Sequence, residues 1–486
     1  MQGHDLKSRS APIAGTPEGR SKTRAEAIAS LFRVPADLSS DAIALAACRQ
    51  TAQIRCVRVH FRIPDQGGLT PAPYSVRYLV RALMQSPLDL RVVKAAARLE
   101  HVRYAIRDMA VLADQLAGEG KTILPLNIGD PLNFDFQTPP HLIGAVEKAM
   151  RDGKNGYAPS LGIPEAVEAI HGEAERKGIR HIQSVFLTAG VSEAVDVCLT
   201  ALVDAGENVL TPSPEYPLYS AVLAKLGAEP NPYLQDESNQ WEPDLADIAR
   251  KVDSKTRAIV VGNPNNPTGS VYSRRTLEGI AEIARRHDLV IFADEIYDKL
   301  ILDGDPHASL AALAPDLCVV TFNGLSKAYL VPGWRVGWGV VSGNAAALRP
   351  YLEGVHQLLR ARLCSNQPQQ YAVRPALEGP QDHLAEVRSK LRARRDLTVE
   401  ACRAIPHLSC VAPRGAFYAF PRIDVPDSDE EFVKGLLVEK HVLAVHGTGF
   451  GQAPGTKHLR IVFLPDEAIL RRAYEGLRAF MAEHYS

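Results

Sequence analysis

Residues 318–339, CVVTFNGLSKAYLVPGWRVGWG, decide how the fold is read. Positions 318–322 are apolar or β-branched, as suits a strand buried on both faces; the following NGLSK breaks the run and sets Lys327 just past the strand's carboxyl end. Four further stretches have the same grammar. SVFLT (184–188) runs into AGVSEAV, NVLT (208–211) into PSPEYPL, RAIVVG (257–262) into NPNNPTG, and LVIFA (289–293) into DEIYDKL. Amphipathic helical patterns alternate with these runs, which predicts an α/β domain built on a largely parallel sheet. Parallel strands end on one edge of a sheet, where open α/β folds place their ligands. Five special turns are therefore expected to meet in one pocket.

Composition narrows the class of ligand. The 486 residues are 46% hydrophobic, enough for a sizeable core, and carry a formal net charge of −1. No global field draws the chain to nucleic acid or to an anionic membrane, so small molecules are the expected partners. Seven cysteines without CxxC pairs fit reduced, buried thiols, and no apolar run is long enough to suggest a span or a secretory signal; a cytoplasmic setting is expected. Residues 1–83 differ, with about twice as many basic as acidic side chains. They read as a poorly ordered extension, with Met84 a plausible functional start; a transit peptide or a small nucleic-acid-binding module are the other readings.

The chemistry of the five turns is specific when taken together. Gly190, Val191 and Ser192 open a helix whose free N–H groups suit an anion, and Arg335 adds a fork of donors. Asp294 stands where an acid can hold a proton on a heterocyclic nitrogen, Tyr297 follows it, and Tyr216 offers a ring face. Taken singly, Lys327 is a surface amine, Asp294 a helix cap, Asn263 and Asn266 turn residues, and Tyr157 and Tyr216 half-buried aromatics. In conjunction they supply a Schiff-base amine, a pyridinium partner and a phosphate cradle, the needs of pyridoxal phosphate. No metal is expected.

With these residues in view, the chain resembles the class I, fold type I, pyridoxal-phosphate-dependent aminotransferases, nearest to the bacterial alanine aminotransferases. The motifs are LNIGDP (126–131), GYAPSLGIPE (156–165), NPNNPTG (263–269), FADEIYDKL (292–300), FNGLSKAY with GWRVGW, and LRIVFLP (459–465). The resemblance implies a large domain with a mostly parallel seven-stranded sheet and a smaller α+β domain. The implied layout is extension 1–83, arm and part of the small domain 84–140, large cofactor domain 141–370 and small domain 371–486. It also implies that Lys327 binds the cofactor covalently, Asp294 pairs with the ring nitrogen, Asn266 and Tyr297 bond the ring hydroxyl, and Tyr216 stacks. Val191, Ser192, Ser326 and Arg335 would hold phosphate, with Tyr157 reaching in from the second subunit of a homodimer. Arg460 would clamp the substrate α-carboxylate beside Gly129 and Asn266, and Tyr104 and Arg107 would close over it. Arg360 or Arg362 would meet a distal carboxylate. Many relatives have a phosphate-binding serine three residues before the lysine; here that position is Gly324.

The implied reaction is transamination between alanine and 2-oxoglutarate with ping-pong kinetics. An aspartate or aromatic aminotransferase or a carbon–sulfur lyase would keep every cofactor residue and differ in the side-chain pocket. An aminotransferase-like transcriptional regulator is the remote alternative, since residues 1–83 lack a helix-turn-helix pattern.

Overall fold

The computed structural model describes residues 93–102 and 105–485; the extension 1–83 and the start at Met84 lie outside the described residues. In chain order the strands are β1 (Leu124–Pro125), β2 (Ile182–Ala189), β3 (Asn208–Ser213), β4 (Glu229–Asp236), β5 (Glu242–Pro243), β6 (Thr256–Gly262), β7 (Val290–Asp294), β8 (Val319–Gly324) and β9 (Val336–Ser342). After these come β10 (Leu408–Ser409), β11 (Tyr418–Ala419), β12 (Arg422–Ile423), β13 (Val442–Leu443), β14 (Val445–His446) and β15 (Leu459–Val462).

The large sheet has the order β2-β9-β8-β7-β6-β3-β4-β5. β3, β6, β7 and β8 pair in parallel, and β9 lies antiparallel between β8 and β2, which makes β2 parallel to β8. The five strand ends read from the sequence thus point the same way. One strand more than the expected seven is present: β5, two edge residues paired with β4 through Gln235↔Pro243 and Asp236↔Glu242. A segment so short has no apolar run to announce it.

Period-two alternation sends successive side chains to opposite layers. Leu187, Ile259, Val261 and Ile291 pack with the helices Pro164–Arg176 and Arg274–Arg286 on one face. Phe186, Ala258, Val260 and Phe292 pack on the other, under the helices Val191–Thr200, Leu218–Leu226 and Ala345–Ala361. A smaller layer joins the sheet β11-β15-β14 to the helices Asp382–Ala404, Asp429–Lys440 and Glu467–His484 around its own core. Both parts of the chain build it: β1 pairs in parallel with β13 through Leu124↔Val442. No helix among the described residues is long and apolar enough to cross a membrane.

Candidate active site

A cavity of about 350 Å³ opens at the carboxyl edge of the large sheet. From the strand ends and the loops after them it is lined by Val191, Ser192, Tyr216, Asn266, Asp294, Tyr297, Ser326, Lys327 and Arg335, and from the smaller layer's side by Gly129 and Arg460. Residues expected from five separate turns and two distant motifs are therefore brought together. Tyr157 does not line its own chain's cavity and is 81% exposed. Arg362 also stands outside it, donating from Nη2 to the carbonyls of Leu187 (2.7 Å) and Ser160 (3.3 Å) and pairing with Glu193 at 3.4 Å. Arg360, on the same helix, is exposed. Tyr104 lies outside the described residues, as does the side chain of Arg107.

Lys327 Nζ donates to the Gly129 carbonyl at 2.9 Å. Burial pushes its amine down to about 8; Asp130 opposes that shift, and the charges of Arg460 and Arg335 reinforce it. Asp294, at the end of β7, is held up at about 6 by burial. Its two hydrogen-bond donors, the Tyr219 hydroxyl at 3.0 Å and the Ile296 amide at 3.2 Å, are both neutral. A cationic ring nitrogen beside it would draw it back to the carboxylate.

The anion cradle lies across the cavity. Gly190 (φ 79°) caps the helix Val191–Thr200 without a side-chain bond, so the first-turn amides keep their positive end toward the cavity. A Cβ at Gly190 would run into the Arg335 guanidinium, which donates to the carbonyls of Pro332 (3.1 Å) and Ala189 (3.3 Å). The left-handed backbone favours glycine there, and any side chain would also have to displace the end of Arg335. With Ser192 and Ser326 alongside, these donors suit a phosphate dianion, and the neighbouring amine and acid suit the ring of pyridoxal phosphate: the residues fit the group.

Gly324 has its own reason. A Cβ there would stand 2.7 Å from the Val336 carbonyl oxygen and 3.0 Å from the Gly337 Cα, because the neighbouring strand β9, paired antiparallel with β8 through Gly324↔Gly337, runs close by. A serine would clash with this backbone, which leaves the helix amides, Ser192, Ser326 and Arg335 as the donors available to an anion here. Gly324→Ser is expected to cost about 1–3 kcal/mol from overpacking and to lower Tm by several degrees in a thermal melt. An unchanged Tm would mean that β8 and β9 spread freely.

Two tyrosines of the lining escaped the sequence reading. Tyr219 holds Asp294, and its only local sign is its place in the first turn after a strand end. Tyr418, in β11, meets the Tyr297 hydroxyl at 2.7 Å from 121 residues away, which no local pattern reveals.

Fold and site together define an aminotransferase of fold type I, and the chain belongs to that pyridoxal-phosphate-dependent family: residues 121–477 match the family described as aminotransferase class I and II. Among relatives it is 42% identical over 405 residues to the glutamate-pyruvate aminotransferase AlaA of Haemophilus influenzae, covering 81% of this chain and all of that one. It is 41% identical over 404 residues to the alanine aminotransferase of Mycobacterium bovis, covering 81% and 94%. The solved alanine aminotransferase of Pyrococcus furiosus superposes with a TM-score of 0.78 at 41% identity, over 80% of this chain and 100% of that one.

Proposed function

We propose that the protein exchanges amino groups between alanine and 2-oxoglutarate, giving pyruvate and glutamate, as a cytoplasmic homodimer. The observation that carries this reading is the shared cavity: an amine lowered by burial and a buried arginine face one space, beside an acid that lacks a cationic hydrogen-bond partner. The names of its relatives support alanine as the donor. Tyr157, exposed and away from its own cavity, is assigned to the phosphate of the neighbouring site, which requires a C2 pair.

Pyridoxal phosphate, when bound, supplies a covalent handle for the amino group and an electron sink. Val191, Ser192, Ser326 and Arg335 would hold its phosphate. Tyr216 would offer its face to the ring, Asp294 would keep a proton on the ring nitrogen, and Asn266 and Tyr297 would hold the ring oxygen. Arg460 fixes the substrate by its α-carboxylate and thereby turns the Cα proton toward Lys327. With its pKa lowered to about 8, a far larger share of Lys327 is neutral near pH 7 than for an ordinary lysine, and that share takes up the Cα proton. The distal carboxylate of glutamate is assigned to Arg362, contributed across the same dimer.

Half-reaction kinetics with alanine, aspartate, tyrosine and glutamate, followed by sedimentation of the active fraction, tests the reading. Alanine and glutamate are expected to react fastest, in a dimer. Arg362→Ala is expected to slow glutamate by roughly tenfold to a hundredfold, the worth of a charged hydrogen bond, and to spare alanine. Equal losses for both would leave Arg362 only its bonds to Ser160 and Leu187 and its pairing with Glu193. A preference for aspartate or tyrosine, or an active monomer, would overturn the substrate or the assembly.

A further inference from the structure

Tyr418 is 2% exposed and stands between the two halves of the cavity. On one side its hydroxyl meets that of Tyr297 at 2.7 Å. On the other its ring lies under the Arg460 guanidinium, 4.8 Å from the centroid, and the Phe450 ring centroid is 4.6 Å from the same guanidinium. Gly129 closes the remaining side, where a Cβ would collide with the Tyr418 hydroxyl and come within 2.9 Å of Phe417. Register fixes this placement: Tyr418 pairs with Val462 on β15, the strand that carries Arg460.

We propose that Tyr418 is a positioning residue for both halves of the site, aiming the Tyr297 hydroxyl at the cofactor's ring oxygen and seating the Arg460 guanidinium that receives the substrate carboxylate. The inference rests on the cofactor site proposed above. A hydroxyl has one proton to give. When Tyr418 donates to Tyr297, the Tyr297 proton is left for an acceptor inside the cavity, and the first bond strengthens the second. A donor on the ring oxygen favours its unprotonated form and keeps its pKa low. The aromatic face serves separately, by holding a cation whose planar fork must not rotate.

The two contributions separate by substitution. Tyr418→Phe keeps the ring and deletes the hydroxyl. The visible absorbance of the cofactor-loaded protein, titrated with pH, is expected to show its transition about half a unit higher, with KM for amino acids within about twofold of the wild type. Tyr418→Leu deletes both, and KM is expected to rise a further fivefold or so for alanine and glutamate alike. In a Tyr297→Phe background the shift caused by Tyr418→Phe is expected to vanish. An unmoved transition in Tyr418→Phe, a shift that survives in the Tyr297→Phe background, or a wild-type KM in Tyr418→Leu overturns the inference while leaving the cofactor site intact. Wild-type protein without a visible band overturns the cofactor site and this inference with it.

Discussion

Lys327→Ala is expected to lose transamination by at least about 10⁴-fold, together with the visible band of the cofactor-loaded protein. In the proposed reaction the side chain would have two duties: condensing with a carbonyl and moving a proton at Cα. Lys327→Arg is expected to be equally inactive. Guanidinium keeps the charge, but it neither condenses nor gives up its proton near neutral pH. Stability separates this result from misfolding. Burial holds the Lys327 amine below its usual value, so the folded state disfavours its charge, and that penalty fades as pH rises from about 8 towards 10.5. Removing the amine near pH 7 is thus expected to leave Tm within a few degrees of the wild type. Retained activity in either variant would remove Lys327 from the chemistry.

Arg460→Lys is expected to lower kcat/KM by roughly thirtyfold to a thousandfold, or about 2–4 kcal/mol, for alanine and glutamate to the same extent. Arg460 is 2% exposed; it donates to Asn266 Oδ1 at 3.2 Å and to the Asn127 carbonyl, and it packs against the rings of Tyr418 and Phe450. This packing fixes the plane of the guanidinium before substrate arrives. Lysine keeps the charge beside the same rings but has one nitrogen where the site presents two separate acceptors, so orientation is lost along with binding. Cofactor absorbance is expected to persist, since this role of Arg460 is toward the substrate. Unequal losses for the two amino acids would mean that Arg460 also reads the side chain.

The sequence made most of the polar residues that share the cavity readable, and the reason is local. Lys327, Asp294, Asn266 and Ser192 each follow a buried strand within a few residues, so a strand end and a chemical type suffice to suggest a common pocket. Arg460 is different: LRIVFLP reads as a strand with a charge in it, and only family wording marks that charge as substrate-facing. Tyr418 and Tyr219 depend on contacts across 121 and 75 residues, and a tyrosine in a short strand or a helix's first turn is ordinary until its partner is known. Gly324 was visible as a departure from the family pattern, but its cause lies in how closely β9 runs beside β8 at Gly337. That spacing is tertiary and leaves no trace in the local pattern.

The strand order also bears on how the chain emerges from a ribosome. All eight strands of the large sheet lie between Ile182 and Ser342, whereas the Arg460–Asn127 bond spans 333 residues and β1 has no partner until Val442. At about 5–20 residues per second, the nascent protein spends on the order of ten seconds with every strand of the sheet synthesised and the apolar side of Met109, Leu124 and Leu126 still waiting for its C-terminal cover. A chain halted in that interval would hold the residues assigned to the cofactor without the arginine assigned to the substrate.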